Sequence, residues 1–365
     1  MDPFAPIDAL IERIRAAASA PHKPLLRVCG SGSKDFLGAR VQGEVLDVRS
    51  LSGIISYEPS ELYITALAGT PLADVQTALA AAQQHLAFEP PHFGAGTTVG
   101  GMVASGLSGP ARASAGAVRD FVLGARMVNG VGEHLRFGGQ VIKNVAGYDL
   151  SRLLCGSWGT LGVITEVSLK VLPLAPCEAT LRCTGVDQAT ALSLLHRWGA
   201  QPLPLSASCW LHDDSLSPAA DTLYLRLRGA AAAVRTAAAR MQDDLRAAGG
   251  MVQQMDTAQA APDWQACADQ TLPFFTRPPS AQHALWRMSL PQTAAVLDLP
   301  YPVMVEWQGA QRWLWAPVSA APVVRQAAQA AGGHATLFRT SSAGGEGERD
   351  AGVVSPLPPV QRRIQ

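Results

Sequence analysis

The chain has 365 residues, of which 48% are hydrophobic and 16% charged, and its 29 basic and 29 acidic side chains cancel. A chain of that length divides into about two domains, and its apolar content excludes a disordered protein. Zero net charge leaves no basic field to attract nucleic acid or an anionic membrane surface.

The first predicted element is an amphipathic helix over 6–19, with Ile7, Leu10, Ile11 and Ile14 at helical spacing. A short apolar run, Leu25–Cys29, stops at Gly30. Gly43–Val48 and Leu62–Ala68 read as strands, and Pro71, suited to a first helical turn, opens a helix through about Gln84. Gly94–Gly109 is glycine-rich. Phe121–Val128 and Glu133–Phe137 flank the turn residues Asn129-Gly130, which predicts a hairpin. Asp149–Leu154 reads as a short helix and Leu161–Val171 as a long strand ended by Pro173 and Pro176, where a domain boundary is expected.

The second half alternates strand-like runs (179–183, 207–211, 222–228, 285–290, 303–307, 312–315 and 336–339) with alanine-rich helices near 187–198, 230–248 and 319–331. That pattern predicts an antiparallel α+β layer. Six of the eight tryptophans lie beyond residue 200, and the segment 341–365, rich in Gly, Ser and Pro, predicts a flexible tail. The expected organisation is an N-terminal helix (1–20), a first domain (21–175), an α+β domain (176–340) and the tail.

Six cysteines are scattered without any C-x-x-C, which argues against an iron–sulfur cluster or structural zinc and for reduced thiols. The first twenty residues carry Asp2, Asp8, Glu12, Arg13 and Arg15, unlike a signal peptide. The longest uncharged run, Gly94–Ala111, holds six glycines and is a poor membrane span. A cytoplasmic protein without a span of its own is expected. G-x-G-x-x-G, G-x-x-x-x-G-K-[ST], G-x-S-x-G and H-E-x-x-H are all missing, which counts against a Rossmann site, a P-loop, a nucleophile elbow and a zincin.

Three segments carry chemistry. Arg27-Val28-Cys29-Gly30-Ser31-Gly32-Ser33-Lys34 is a strand entering a tight Gly/Ser loop, either an ordinary strand-end turn or a nest whose amides suit a pyrophosphate. Glu89–Gly106 runs through Thr97-Thr98-Val99-Gly100-Gly101, which opens a helix with its N–H groups toward an anion or simply packs closely on a neighbour. Asn144–Thr165, with Gly156-Ser157-Trp158-Gly159-Thr160-Leu161-Gly162 at its centre, joins a polar turn, a short helix and a strand.

In this order and spacing, the three resemble the FAD domain of the vanillyl-alcohol-oxidase/p-cresol-methylhydroxylase (PCMH-type) group over roughly residues 20–175. The segments NVAGYDLSRLLCGSWGTLGVITEVSLKVLP, SGLSGPARASAGAVRDFVLG, LWRMSLP and GGHATLFR extend the resemblance into the second half. They liken the chain to the family of FAD-binding (E) subunits of bacterial glycolate oxidase. The resemblance implies an α+β fold: a PCMH-type two-lobed FAD-binding domain followed by a smaller α+β cap domain with an antiparallel sheet and helices.

It further implies that Gly30, Ser31, Gly32, Ser33 and Lys34 hold the FAD pyrophosphate through backbone amides. Thr97, Thr98, Gly100 and Gly101 would line the second phosphate and the ribityl chain, with Pro90 and Gly96 in the same set. Ser105 and Gly106 would lie close to the flavin, and Val163 and Ile164 would present backbone toward the adenine side. Relatives that bind FAD covalently use a histidine in the first loop. No histidine falls between His22 and His85, so non-covalent FAD is expected. The implied partners are a D-type FAD subunit and an iron–sulfur F-type subunit, with a small 2-hydroxy acid as substrate and membrane association only through the partners.

Oxidising a 2-hydroxy acid asks for a cation on the carboxylate and a base for the hydroxyl proton. Relatives with that activity carry close-set histidines in the second domain, whereas His196, His212, His283 and His334 are far apart here. Arg287 with His283 is the one candidate pair, and packing is the alternative reading. Trp307, Trp313 and Trp315 suit either a wall over the flavin or a core, and His334 and Cys155 read as structural. No catalytic base is assigned. The expected role is electron transfer or assembly beside a D-type partner that oxidises the substrate. A stand-alone dehydrogenase and a scaffold without productive FAD are the alternatives.

Overall fold

Apolar side chains at the helical period make α1 (Ala5–Ser19), which buries Ile7, Leu10 and Ile14. Each such burial contributes about 1.5–3 kcal/mol. The computed structural model describes residues 5–38, 42–140 and 149–340. The chain divides into two units, one of residues 1–35 and 41–174 and one of residues 36–40 and 175–365. The Asn144–Tyr148 part of the third segment and the 341–365 tail lie outside the described residues.

In the first unit, β1 (Leu26–Cys29) pairs in parallel with β2 (Glu44–Asp47). Then come β3 (Ile54–Glu58), β4 (Tyr63–Leu67), α2 (Leu72–Ala81) and β5 (Gln84–His85). The helix α3 (Val99–Ser105) and two single turns, α4 (Arg112–Ala115) and α5 (Val118–Phe121), lead to β6 (Val122–Val128), β7 (His134–Gly138), β8 (Val163–Lys170) and β9 (Leu172–Pro173). Five strands form one antiparallel sheet in the order β3-β4-β8-β6-β7. Thr65 on β4 and Ser168 on β8, 103 residues apart in sequence, share a buried hydrogen bond of 2.8 Å.

Alternation along the strands gives the sheet two buried faces. Ile64, Ala66, Val167 and Leu169 pack with Leu72, Val75, Leu79, Met102 and Val103 of α2 and α3. Leu67, Val128 and Val163 on the other face meet α1 together with Leu46, Val48 and Leu51. The N-terminal helix is therefore a wall of the first unit. The β6–β7 hairpin is present, but its loop runs from Asn129 to Glu133, with Asn129 Oδ1 accepting from the amides of Val131 and Glu133. Gly132, and not Gly130, takes the positive φ. The side-chain cap on Asn129 thus lengthens the two-residue turn that the sequence suggests.

The second unit contains β10 (Cys177–Thr184), α6 (Gln188–Gly199), β11 (Leu205–Asp213), β12 (Ala220–Gly229), α7 (Ala231–Ala247), β13 (Met251–Met255), α8 (Thr257–Asp269), α9 (Pro273–Thr276), β14 (His283–Ser289), β15 (Val303–Glu306), β16 (Gln311–Pro317), α10 (Ala321–Ala330) and β17 (His334–Thr340). Its eight strands form one sheet in the order β13-β10-β12-β11-β15-β16-β14-β17, every neighbour antiparallel. One face is aliphatic: Leu181, Leu223, Leu225 and Leu227 lie under α6 and α7, and Trp286 and Leu314 pack with Val324 and Ala328 of α10. The opposite face carries Thr180, Arg226, Glu306, Gln311 and Trp313. Against it, Trp264 of α8 donates to Thr180 Oγ1 at 3.0 Å and receives the Arg226 guanidinium over its ring.

Candidate functional site

The first loop begins where β1 ends. Gly32 turns it with φ +72°, and the Asp35 amide closes it on the Gly32 carbonyl at 3.0 Å. Gly30 has no room for a side chain: a Cβ there would stand 2.6 Å from Thr98 Oγ1. The loop lies against the Gly94–Thr98 segment as a result. Thr97 Oγ1 lies 2.9 Å from Ser33 Oγ and also reaches the His92 carbonyl. Lys34 is buried and its Nζ donates to Ser33 Oγ at 3.2 Å, while Ser31 is exposed.

Thr98 caps α3, its Oγ1 accepting from the Gly101 amide. The helix start expected from the sequence forms, with its first amides engaged within the chain. The Val99 amide donates to Thr70 O (2.9 Å) and the Gly100 amide to Ala68 O (2.7 Å). Gly100 allows that approach, since a Cβ would come within 2.7 Å of Ala68 Cβ. Gly96 takes φ +85° and passes Ser31. Pro90 is buried, and Ser105 is buried with its hydroxyl on Met102 O.

The third segment docks on the same helix. The Gly156 amide donates to Val103 O and the Trp158 amide to Ala104 O, at 3.1 and 3.0 Å. Gly106 ends α3 at φ +63°, where a Cβ would press on the Gly156 amide, so its small size serves this docking. Gly159 reaches back to Val28 on β1. Trp158 is half-exposed and held at φ +53°, a strained backbone for a bulky residue. The Ser157 hydroxyl is buried with no partner among the described residues. Val163 and Ile164 bury their side chains in the two cores, which leaves only their backbone for contact with a ligand. The three segments thus converge: first loop on second at Gly30–Thr98 and Ser33–Thr97, second on third at Val103–Gly156.

In the second unit, His283 and Arg287 share a face of β14 but serve different neighbours. His283 Nδ1 bonds Ser280 Oγ at 2.8 Å, whereas Arg287 Nε donates to Gln311 Oε1 at 2.8 Å with its guanidinium near the Trp307 and Trp313 rings. Trp313 and Trp315 are buried, their indole N–H groups on Glu306 Oε2 and Phe274 O, both at 2.6 Å. They are core residues. His334 is exposed at the start of β17. Burial pushes the Cys155 thiol up to about 12, so it is an inert packing group.

The sequence reading missed Glu306. This fully buried carboxyl accepts from Trp313, from Gln311 Nε2 at 3.2 Å and from the Cys267 thiol at 3.3 Å, and desolvation raises its pKa. Its one sequence signal is an acid ending the apolar run Val303–Val305. Among the described residues no cluster of His, Cys, Asp and Glu is fit to hold a metal, and no helix is long and apolar enough to cross a membrane.

The comparisons with known proteins bear on this geometry directly. The FAD binding domain family matches residues 5–138, which contain the first two segments. Glycolate oxidase subunit GlcE of Escherichia coli (strain K12) is 45% identical over 92% of this chain and 88% of its own. The chain belongs to the GlcE family of FAD-binding oxidoreductases. D-lactate dehydrogenase of Anaerostipes hadrus is 32% identical over 44% of this chain and 34% of its own. Among solved structures, p-cresol methylhydroxylase with substrate bound superposes with a TM-score of 0.66 at 14% identity, covering 92% of this chain and 79% of that one. An alkyldihydroxyacetonephosphate synthase gives 0.67 at 13% identity, over 89% and 70%. At such identities these two speak for the fold alone, and that fold is the PCMH type.

The residues of this member fit the family's cofactor. FAD brings a diphosphate that needs donors and positive charge, and the converging segments supply the Lys34 ammonium, the Ser31 and Ser33 hydroxyls and the Ser157 hydroxyl, which has no partner among the described residues. Gly94, at φ +111°, has open space where a side chain would stand. The nearest histidine in this part of the first unit, His92, bonds Gln76 Oε1 at 2.7 Å.

Proposed function

We propose that the chain is the FAD-binding subunit of a glycolate oxidase complex, working beside a D-type FAD subunit and an iron–sulfur F-type subunit. The likeness to GlcE over 92% of this chain, through both units, carries this reading. The likeness to D-lactate dehydrogenase, in contrast, stops at 44%. Glycolate oxidase subunit GlcD of Bacillus subtilis (strain 168), 41% identical over 23% of this chain, supports a D-type flavoprotein as neighbour in the complex.

The FAD is held without a covalent bond by Gly30–Lys34, by Thr97 and by the backbone of the third segment, with Gly30, Gly100 and Gly106 keeping the three segments in register. Bound there, FAD supplies two-electron acceptor chemistry. Conversion of glycolate to glyoxylate releases two electrons and two protons, so the oxidising site needs a carboxylate-binding cation beside a base. Three of the four second-unit histidines are taken by other partners, His196 by Gln292 O, His212 by Asp221 and His283 by Ser280, and His334 is exposed at the start of β17. Arg287 is engaged with Gln311. This favours oxidation of the hydroxy acid on the D-type partner, with this chain relaying electrons.

The test is the visible spectrum of the purified chain under anaerobic glycolate, alone and with the D-type subunit. A flavin band that bleaches only with the partner present is the expected result. Bleaching by the isolated chain would move the active site here, and a chain that takes up no FAD would refute the reading.

A further inference from the structure

The first loop buries a cation without a carboxylate to balance it. Lys34 is 8% exposed, and its ammonium meets Ser33 Oγ and lies 5.9 Å from the centroid of the Phe93 ring. The charged neighbours on the two loops are turned to other work. Asp35 pairs with Arg27 on the strand before it, and His92 on the facing loop bonds Gln76. Desolvation is what acts on the Lys34 amine, and it brings the pKa down to about 8. Burying an ammonium this way costs stability unless something supplies the opposite charge. Ser33 and Thr97 continue from Lys34 as a connected polar chain to the His92 carbonyl, so the ammonium is held in place before any ligand arrives.

We propose that Lys34 is the counter-charge for the diphosphate of the bound dinucleotide and that binding draws a proton onto this side chain, making cofactor affinity fall as pH rises. The inference rests on the FAD site proposed above and assigns the work to a side chain, where backbone amides alone were expected. The sign follows from linkage. In the free protein the amine loses its proton near pH 8. Phosphate oxygens beside it favour the ammonium, so the bound form keeps the proton to higher pH. Affinity is therefore flat below about pH 7 and falls by up to about tenfold per pH unit above 8, until the bound form titrates too.

The experiment is FAD titration of the apo full-length chain between pH 6.5 and 9.5, followed by flavin fluorescence and by calorimetry in two buffers of different ionisation enthalpy. ADP serves as a second probe that carries the diphosphate without the flavin. Wild type is expected to take up a fraction of a proton per FAD at pH 8. Lys34→Met should weaken FAD binding at pH 7 by about ten- to a hundredfold, the loss of one charge-assisted contact, and should abolish the pH slope. Lys34→Arg, which keeps its charge throughout, should retain affinity and lose the slope. Equal affinity in Lys34→Met, or a slope that survives in both variants, would overturn the proposal. ADP binding with the slope alongside no FAD binding would keep Lys34 as a diphosphate group and refute the flavin reading instead. Binding of neither probe would overturn both.

Discussion

The two units place polar groups by opposite rules. In the first, Ser31, Ser33, Lys34 and Ser157 sit on turns that close-packed glycines hold together, and several are left with bonding capacity to spare. In the second, Glu306, Gln311 and Trp313 on a sheet face and Cys267 of the helix against it satisfy one another. A polar group with spare capacity suits a ligand, and a saturated one suits architecture. Functional changes should therefore follow the first set and stability the second.

Glu306→Ala gives the largest expected effect. It strips Trp313, Gln311 and Cys267 of their acceptor, at a cost of about 1–3 kcal/mol for each buried donor left unsatisfied. Denaturant unfolding should register the loss while flavin bound per folded molecule stays at the wild-type level. A variant of normal stability that loses flavin would break the comparison.

Gly30→Ala probes the other side. Its Cβ would push Thr98 off the first loop, so FAD affinity should fall by at least about tenfold, equivalent to about 1.4 kcal/mol, with little change in the unfolding midpoint. Equal affinity for FAD would show that the loop contact is packing alone.

Smaller effects belong to the surface of the second unit. Asp187 caps α6 by accepting from the Thr190 amide, and the Thr190 side chain together with that amide holds its carboxyl below the usual value. Asp187→Ala should cost about 1 kcal/mol. That contribution is present above the unfolded pKa of about 3.9 and is lost as pH falls through the lower folded value. The stability gap between wild type and variant should accordingly close in acid.

His212 has the reverse sign. Asp221 raises its pKa, so its stabilisation is full below about pH 6.5 and disappears as pH rises through the folded value. The pair is exposed, and Asp221→Asn should cost under about 1 kcal/mol even at pH 5.5. A larger loss measured there would mean that this surface pair carries weight the buried network was assigned.

Much of the fold was legible because the strands alternate and the glycines mark turns. The pairing partners were not, since nothing local in Tyr63–Leu67 names Lys170 as the opposite residue. β13 and α8 escaped the reading as well: Met251–Met255 is mostly exposed at a sheet edge, and Pro262 interrupts a helix whose real signals are the Asp256 cap and Trp264. The three glycine-rich segments were visible as motifs, but their register was a tertiary fact. The helix-start amides looked available in sequence and were spent on Ala68 and Thr70. Glu306 went unremarked because a single acid beside an apolar run carries no period, and only the sheet brings it to Cys267 and Trp313.

The pairing of β4 with β8 also has a consequence during synthesis. Thr65 must wait for Ser168, 103 residues later, and a ribosome needs about 5–20 s to add that many at typical rates of about 5–20 residues per second. Through that interval β4 has no partner on its β8 side, and for most of it the Gly156 turn does not yet exist. The apolar β4 segment therefore emerges well before the strand that will cover its edge.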